Sequence, residues 1–126
     1  QAVAPRLVQS LHYRTGELLT EFAPQRRADA PLSPMTIRQL RQLLRKVVEE
    51  GTGVALQAAQ WPLAGKSGTG EYVKGKTDNQ WFVGYGPADA PRYAVAVVSM
   101  DTPAEEKNKA VPVFLKVMDH LATGKN

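Results

Sequence analysis

Between Leu63 and Met100 the chain offers three extended segments joined by links too short to hold a crossover helix. The segments run from Leu63 to Val73, Gln80 to Gly86 and Arg92 to Met100, and the links "KGKTDN" and "PADAP" are rich in turn residues. A parallel pair needs a connection of a dozen or more residues, so this stretch favours an antiparallel meander. In the second segment, alternation puts Trp81, Val83 and Tyr85 on one side and Phe82, Gly84 and Gly86 on the other. The third is apolar on both faces through "YAVAVV", which predicts a central or covered strand.

Two helices flank this core candidate. "SPMTIRQLRQLLRKVVEEG" has Ser33 as a natural N-cap and Pro34 in the first helical position. Ile37, Leu40, Leu44, Val47 and Val48 recur at three and four residues and form one apolar stripe, and Gly51 reads as a left-handed stop. Arg38, Arg41 and Arg45 make a basic stripe on another face, which reads as solvated surface in preference to an anion or lipid-headgroup site. The last helix lies in "NKAVPVFLKVMDHLATG", with Pro112 tolerable only in its first turn and Gly124 as its end. Its stripe is Val111, Phe114, Val117, Met118 and Leu121, Met118 being core filler rather than a ligand. Near the start, "PRLVQSLHYRTGELLTEF" reads as a hairpin turning at Arg14-Thr15-Gly16, and "APQRRADAP" as a loop. "GTGVALQAAQWP" is a glycine-opened connection with room for a short helical turn.

Composition narrows the function classes. The 126 residues fit one domain, and with 43% hydrophobic and 22% charged residues the chain reads as globular. No apolar run approaches the ~20 residues of a membrane span. The chain begins at Gln1 rather than Met, so a processed product or a cut piece is expected. The net charge of +4 is spread along the chain without the aromatic-basic runs of single-strand nucleic-acid binders, so no nucleic-acid partner is expected. With no cysteine there is no disulfide, thiolate metal site or cysteine nucleophile, which is compatible with an extracytoplasmic bacterial protein. Neither His12 nor His120 has a second ligand at metal spacing, so no metal is expected.

The chemistry concentrates in "AGKSGTGE", residues 64 to 71. Gly-Lys-Ser also ends a phosphate-binding loop, but that loop needs an earlier glycine where Gln60 stands. Its interior would hold Trp61 and Pro62, and Pro has no N–H to offer an anion. Dinucleotide fingerprints fail at Leu56 and Val73, where glycine is required. On an exposed strand, by contrast, Lys66, Ser67, Gly68 and Thr69 form a rail for a carboxylate and a carbonyl. Alternation places Lys66 and Gly68 on one side and Ser67 and Thr69 on the other, and Gly68 permits close approach of an extended, peptide-like ligand. Spacing alone favours the plainer reading, a flexible glycine turn ahead of a strand.

The wider order of blocks adds to this. "VVEEGTGVA", "LAGKSGTGE", "DNQWFVGYGP", "RYAVAVV" and "AVPVFLKVM" resemble, in order and near spacing, the transpeptidase domain of penicillin-binding proteins. The opening "APRLVQSL" resembles the segment between the second and third active-site motifs of that domain. The resemblance implies an α+β fold, part of a β-lactamase/transpeptidase-like fold, with the three-strand antiparallel meander packed against the C-terminal helix. It implies a serine acyl-enzyme formed from the D-Ala-D-Ala end of a peptidoglycan stem peptide, with β-lactams acylating the same serine. Carried over by position, Lys66 supplies positive charge around the catalytic hydroxyls, and the Ser67 and Thr69 hydroxyls hold the terminal carboxylate. The Thr69 N–H is one of two oxyanion donors, and Gly68 keeps the strand clear. Thr is commoner than Ser at position 67 in transpeptidases, so Ser67 is a conservative departure. The resemblance implies no cofactor and an extracytoplasmic location, anchored by a segment outside these residues.

The larger departure is what the chain lacks. Ser10, Ser33, Ser67 and Ser99 are followed at the third place by Tyr13, Thr36, Gly70 and Thr102, so no Ser-x-x-Lys nucleophile motif occurs. No Ser-x-Asn or Tyr-x-Asn occurs either. Residues 1–126 thus read as the C-terminal portion of such a domain, inactive alone. In the family sheet the last strand is flanked by one that precedes the nucleophile motif, so "YAVAVV" is expected to leave an apolar edge that seats against the rest of its own domain. The alternatives are a non-catalytic penicillin-binding-protein-like module and a fragment of a serine β-lactamase or β-lactam sensor, which shares Lys-Ser-Gly.

Overall fold

The computed structural model describes residues 2–27 and 32–124. They fall into two compact units, Gln1–Pro34 and Met35–Asn126.

The first unit is built of short antiparallel pairs. Strand β1 (Ala2–Val3) pairs with β4 (Arg26–Arg27), and β2 (Ser10–His12) with β3 (Leu18–Glu21). The expected hairpin is present: Gly16 N–H donates to the Tyr13 carbonyl at 2.9 Å, and Tyr13 N–H to Glu17 at 2.8 Å. The stretch read as loop from Ala23 to Pro31 instead contains β4, because backbone pairing with β1 needs no apolar side chains; residues 28–31 lie outside the described residues.

Helix α1 (Pro34–Glu49) has all but its first residue in the second unit, Pro34 standing in its first position as expected. Its apolar stripe is covered only at the C-terminal end. Val48 is buried and Leu44 and Val47 are half-buried, whereas Ile37 and Leu40 remain 40% and 42% exposed. Gly51 is not a left-handed stop, since its φ is not positive. Its N–H and that of Gly53 both donate to the Val47 carbonyl, at 3.2 and 3.0 Å, and wrap the chain over the helix end. A Cβ on Gly51 would lie 2.9 Å from that oxygen, so glycine is required there by space rather than by handedness. Arg45 also departs from a purely solvated stripe. It donates to Glu49 at 2.9 Å and to the Leu63 carbonyl at 2.8 Å, tying α1 to the start of the sheet.

A 3-10 turn (Val54–Ala58) buries Leu56 and leads to the meander: β5 (Ala64–Val73), β6 (Thr77–Gly86) and β7 (Tyr93–Pro103), in antiparallel order β5-β6-β7. β6 and β7 each run three residues beyond expectation, at the start and the end respectively. Their ladder continues through Asp78↔Thr102 and Thr77↔Pro103, because backbone groups pair whatever the side chains. β7 is not central: among the described residues it pairs with β6 alone. Its alternate residues Ala94, Ala96, Val98 and Met100 are exposed, so "YAVAVV" forms an edge.

Helix α2 (Ala110–Thr123) covers one face of the sheet and ends at Gly124, whose φ of 61° is the left-handed cap glycine accepts without strain. Ala110, Val111, Phe114 and Met118 are buried, and the Phe82 and Phe114 rings meet at 4.7 Å with a 55° tilt. The expected split of β6 holds, since Phe82, Gly84 and Gly86 are buried while Trp81 and Val83 stay 44% and 51% exposed. Gln80 locks the β7–α2 connection, donating to the Glu106 carbonyl and accepting from Lys109 N–H at 2.9 Å.

Candidate functional site

The Lys-Ser stretch begins inside the core and runs out of it. Leu63, Ala64 and Gly65 are buried, while Lys66, Gly68 and Thr69 are exposed and Ser67 is half-buried. A Cβ at position 65 would stand 2.6 Å from both Phe82 Cε1 and the Val83 carbonyl, so only glycine lets the strand sit this close to β6. The motif is therefore strand rather than turn, which decides between the two readings left open by spacing. Gly68 lies opposite Trp81, and Thr69 opposite Gln80.

β5 is an outer strand of the sheet, and its pairing shows which groups face outward. The Gly86 carbonyl accepts from Arg92 N–H at 3.0 Å, so it turns toward β7. Backbone groups alternate along a strand, so Tyr85, Val83 and Trp81 turn toward β5, opposite Ala64, Lys66 and Gly68. Ser67 and Thr69 then direct their N–H and C=O groups to the open edge. In agreement, the Lys66 ammonium reaches the Ser67 carbonyl at 2.7 Å.

Side chains follow the expected alternation. Lys66 and Gly68 share the face of Val83 and Trp81, and Ser67 and Thr69 share the face of Phe82 and Gln80. Lys66 Nζ also lies 3.3 Å from Ser67 Oγ, so the cation spans the edge to the hydroxyl. One further group joins them that no sequence pattern had picked out. Thr52, from the connection after α1, places its Oγ1 2.7 Å from Ser67 Oγ. It sits in the "GTG" block, but nothing in a separation of 15 residues marks the two as partners.

One ammonium, the hydroxyls of half-buried Ser67 and exposed Thr69, and outward backbone groups suit an extended ligand ending in a carboxylate. Such a ligand can add to β5 as a further strand while the cation and hydroxyls take its charged end. Lys66, Gly68 and Thr69 lie exposed along the strand. A surface depression lined by Arg38, Arg41, Arg45, Lys46, Glu49 and Tyr85 contains none of Lys66, Ser67, Gly68 or Thr69. Ser99, another hydroxyl of the unit, lies on β7 and bonds Thr102 at 3.0 Å. Among the described residues no group of three His, Cys, Asp or Glu is placed to hold a metal ion. His12 sits in the β2–β3 hairpin, its Nδ1 3.1 Å from the Gly16 carbonyl.

Comparison with known proteins matches residues 1–119 to the family model described as penicillin binding protein transpeptidase domain. Penicillin-binding protein PbpB of Mycolicibacterium smegmatis is 30% identical, over 94% of this chain and 21% of its own length. The crystal structure of the D,D-transpeptidase domain of a peptidoglycan glycosyltransferase from Eggerthella lenta superposes with a TM-score of 0.69 at 32% identity, covering 92% of this chain and 27% of that one. Penicillin-binding protein 2B of Streptococcus pneumoniae, at 24% identity, shares the fold with a TM-score of 0.76 over 97% of this chain and 22% of its own. The chain spans about a fifth of the length of the curated penicillin-binding proteins PbpB that it matches.

Proposed function

The chain belongs to the transpeptidase-domain family of penicillin-binding proteins, and from that premise we propose that residues 1–126 are the C-terminal portion of a peptidoglycan D,D-transpeptidase domain. The portion supplies the substrate-docking strand, and the serine nucleophile comes from sequence outside it. The observation that carries this reading is the open edge of β5, where Lys66, Ser67 and Thr69 stand together on a strand that a peptide can extend.

In the reaction, the serine hydroxyl adds to the carbonyl of the penultimate D-Ala of a stem peptide. The C–N bond to the terminal D-Ala breaks, the amine leaves with a proton, and an ester to the serine remains. An amine of a second stem peptide then takes the acyl group and frees the serine. Ser67 and Thr69 hydroxyls hold the terminal carboxylate, which orients the scissile bond. The outward N–H of Thr69 is one of two donors to the oxyanion that develops on the attacked carbonyl. Lys66 brings positive charge to the carboxylate and to the reacting hydroxyls. A β-lactam presents a strained amide and a carboxylate to the same groups and leaves a stable ester. The work is placed outside the cytoplasmic membrane, where the cross-linked polymer lies. No helix of the described residues is long and apolar enough to cross a membrane.

The test uses the whole protein that carries this segment. It is expected to be labelled covalently by a fluorescent penicillin, and the 126-residue chain alone is expected to stay unlabelled. Lys66→Ala in the whole protein should slow acylation by on the order of 10²-fold, the scale of losing one electrostatic contact to the transition state. An unchanged rate removes Lys66 from the mechanism. An adduct that hydrolyses within seconds turns the reading to a β-lactamase.

A further inference from the structure

We infer that Thr52 is a positioning residue that sets the hydrogen-bond direction of Ser67 for a ligand carboxylate; the inference rests on the docking role proposed for β5. Ser67 Oγ has two neighbours, Lys66 Nζ at 3.3 Å and Thr52 Oγ1 at 2.7 Å. A serine hydroxyl has one hydrogen to give and two lone pairs. An ammonium can only donate, so Lys66 occupies one lone pair. An ionised carboxylate can only accept, so it needs the Ser67 hydrogen. That hydrogen is free only when Thr52 donates to the second lone pair. The arriving carboxylate therefore selects one chain of donors, from Thr52 to Ser67 to the ligand, and each bond in such a chain strengthens the next. If Thr52 accepted instead, Ser67 would face the carboxylate with a lone pair.

The backbone around Thr52 is built to hold it there. Gly51 and Gly53 on either side both donate to Val47, and a Cβ at either would crowd that carbonyl oxygen at 2.9 or 3.2 Å. Beyond them, Gln57 Nε2 donates to the Val48 and Glu49 carbonyls at 3.1 and 2.8 Å, pinning the connection to the end of α1. Thr52 itself is exposed, so its side chain is not core packing.

The experiment compares two probes on the whole protein: a penicillin with its free carboxylate and the methyl ester of the same penicillin. Thr52→Val, which removes the hydroxyl and keeps the shape, should lower the acylation rate constant for the free acid about tenfold, the loss expected for one hydrogen bond to a charged group through a shared hydroxyl. The rate for the ester should change by less than about twofold, and Thr52→Ser should restore the acid rate to within about threefold. In a Ser67→Ala background, Thr52→Val should have no further effect, because the two act as one unit. Equal loss for acid and ester, an undiminished loss in the Ser67→Ala background, or no loss at all would overturn the inference while leaving the transpeptidase reading in place. An unsubstituted protein that takes no label from either probe would overturn that reading, and this inference with it.

Discussion

At the scale of single residues, the floor beneath β5 is set by missing side chains. A Cβ on Gly84 would meet the Ala64 carbonyl at 2.6 Å and Phe114 Cζ at 2.7 Å, and only one of those neighbours is the tip of a side chain. Gly84→Ala should therefore destabilise the protein by on the order of 2 kcal/mol, read as a lower denaturant midpoint with the slope unchanged. A midpoint equal to that of the parent would show that β5 can move away freely. At this scale the sequence was readable for the alternation of Lys66 and Gly68 against Ser67 and Thr69, because a strand has period two. It was silent on Thr52, whose partner is 15 positions away and is met only through space.

At the scale of elements, α2 and β6 hold the sheet in place through the Phe82–Phe114 pair. Both rings are fully buried, so Phe114→Ala removes a large apolar volume that little else can fill. The expected cost is about 3–5 kcal/mol, visible in thermal or chemical unfolding. A loss below about 1 kcal/mol would mean that α2 does not hold the sheet. Both helices were legible from their 3.6-residue periodicity, and Pro34 and Gly124 marked a start and an end as local backbone rules require. How far each stripe is used was not legible. The stripe of α2 buries Phe114 and Met118, whereas that of α1 reaches the core only near Val48.

At the scale of the whole molecule, β7 leaves an outer strand with Val98 and Met100 37% and 69% exposed. An exposed, apolar edge pairs with whatever strand it meets. The 126-residue chain by itself should self-associate in a concentration-dependent way, and Val98→Lys should reduce that association in light scattering. A chain that stays monomeric up to its solubility limit would show the edge to be protected. If the rest of a transpeptidase domain seats on this edge in a longer protein, as the proposed function implies, Val98→Lys should there lower stability instead.

Local chemistry alone was enough to specify the antiparallel meander, the two helices and the Arg14–Gly16 hairpin, while for Lys66 to Thr69 it left strand and glycine turn both open. Short links forbid crossovers, periodicity separates strand from helix, and glycine and proline mark most of the ends. Tertiary structure alone decided the rest. It made the Lys-Ser stretch a strand, made Gly51 a matter of space rather than handedness, turned the Ser67 and Thr69 backbone outward, and brought Thr52 to Ser67. Each of these depends on what stands across a gap from a residue, and that neighbour is chosen by packing and not by the adjoining chain.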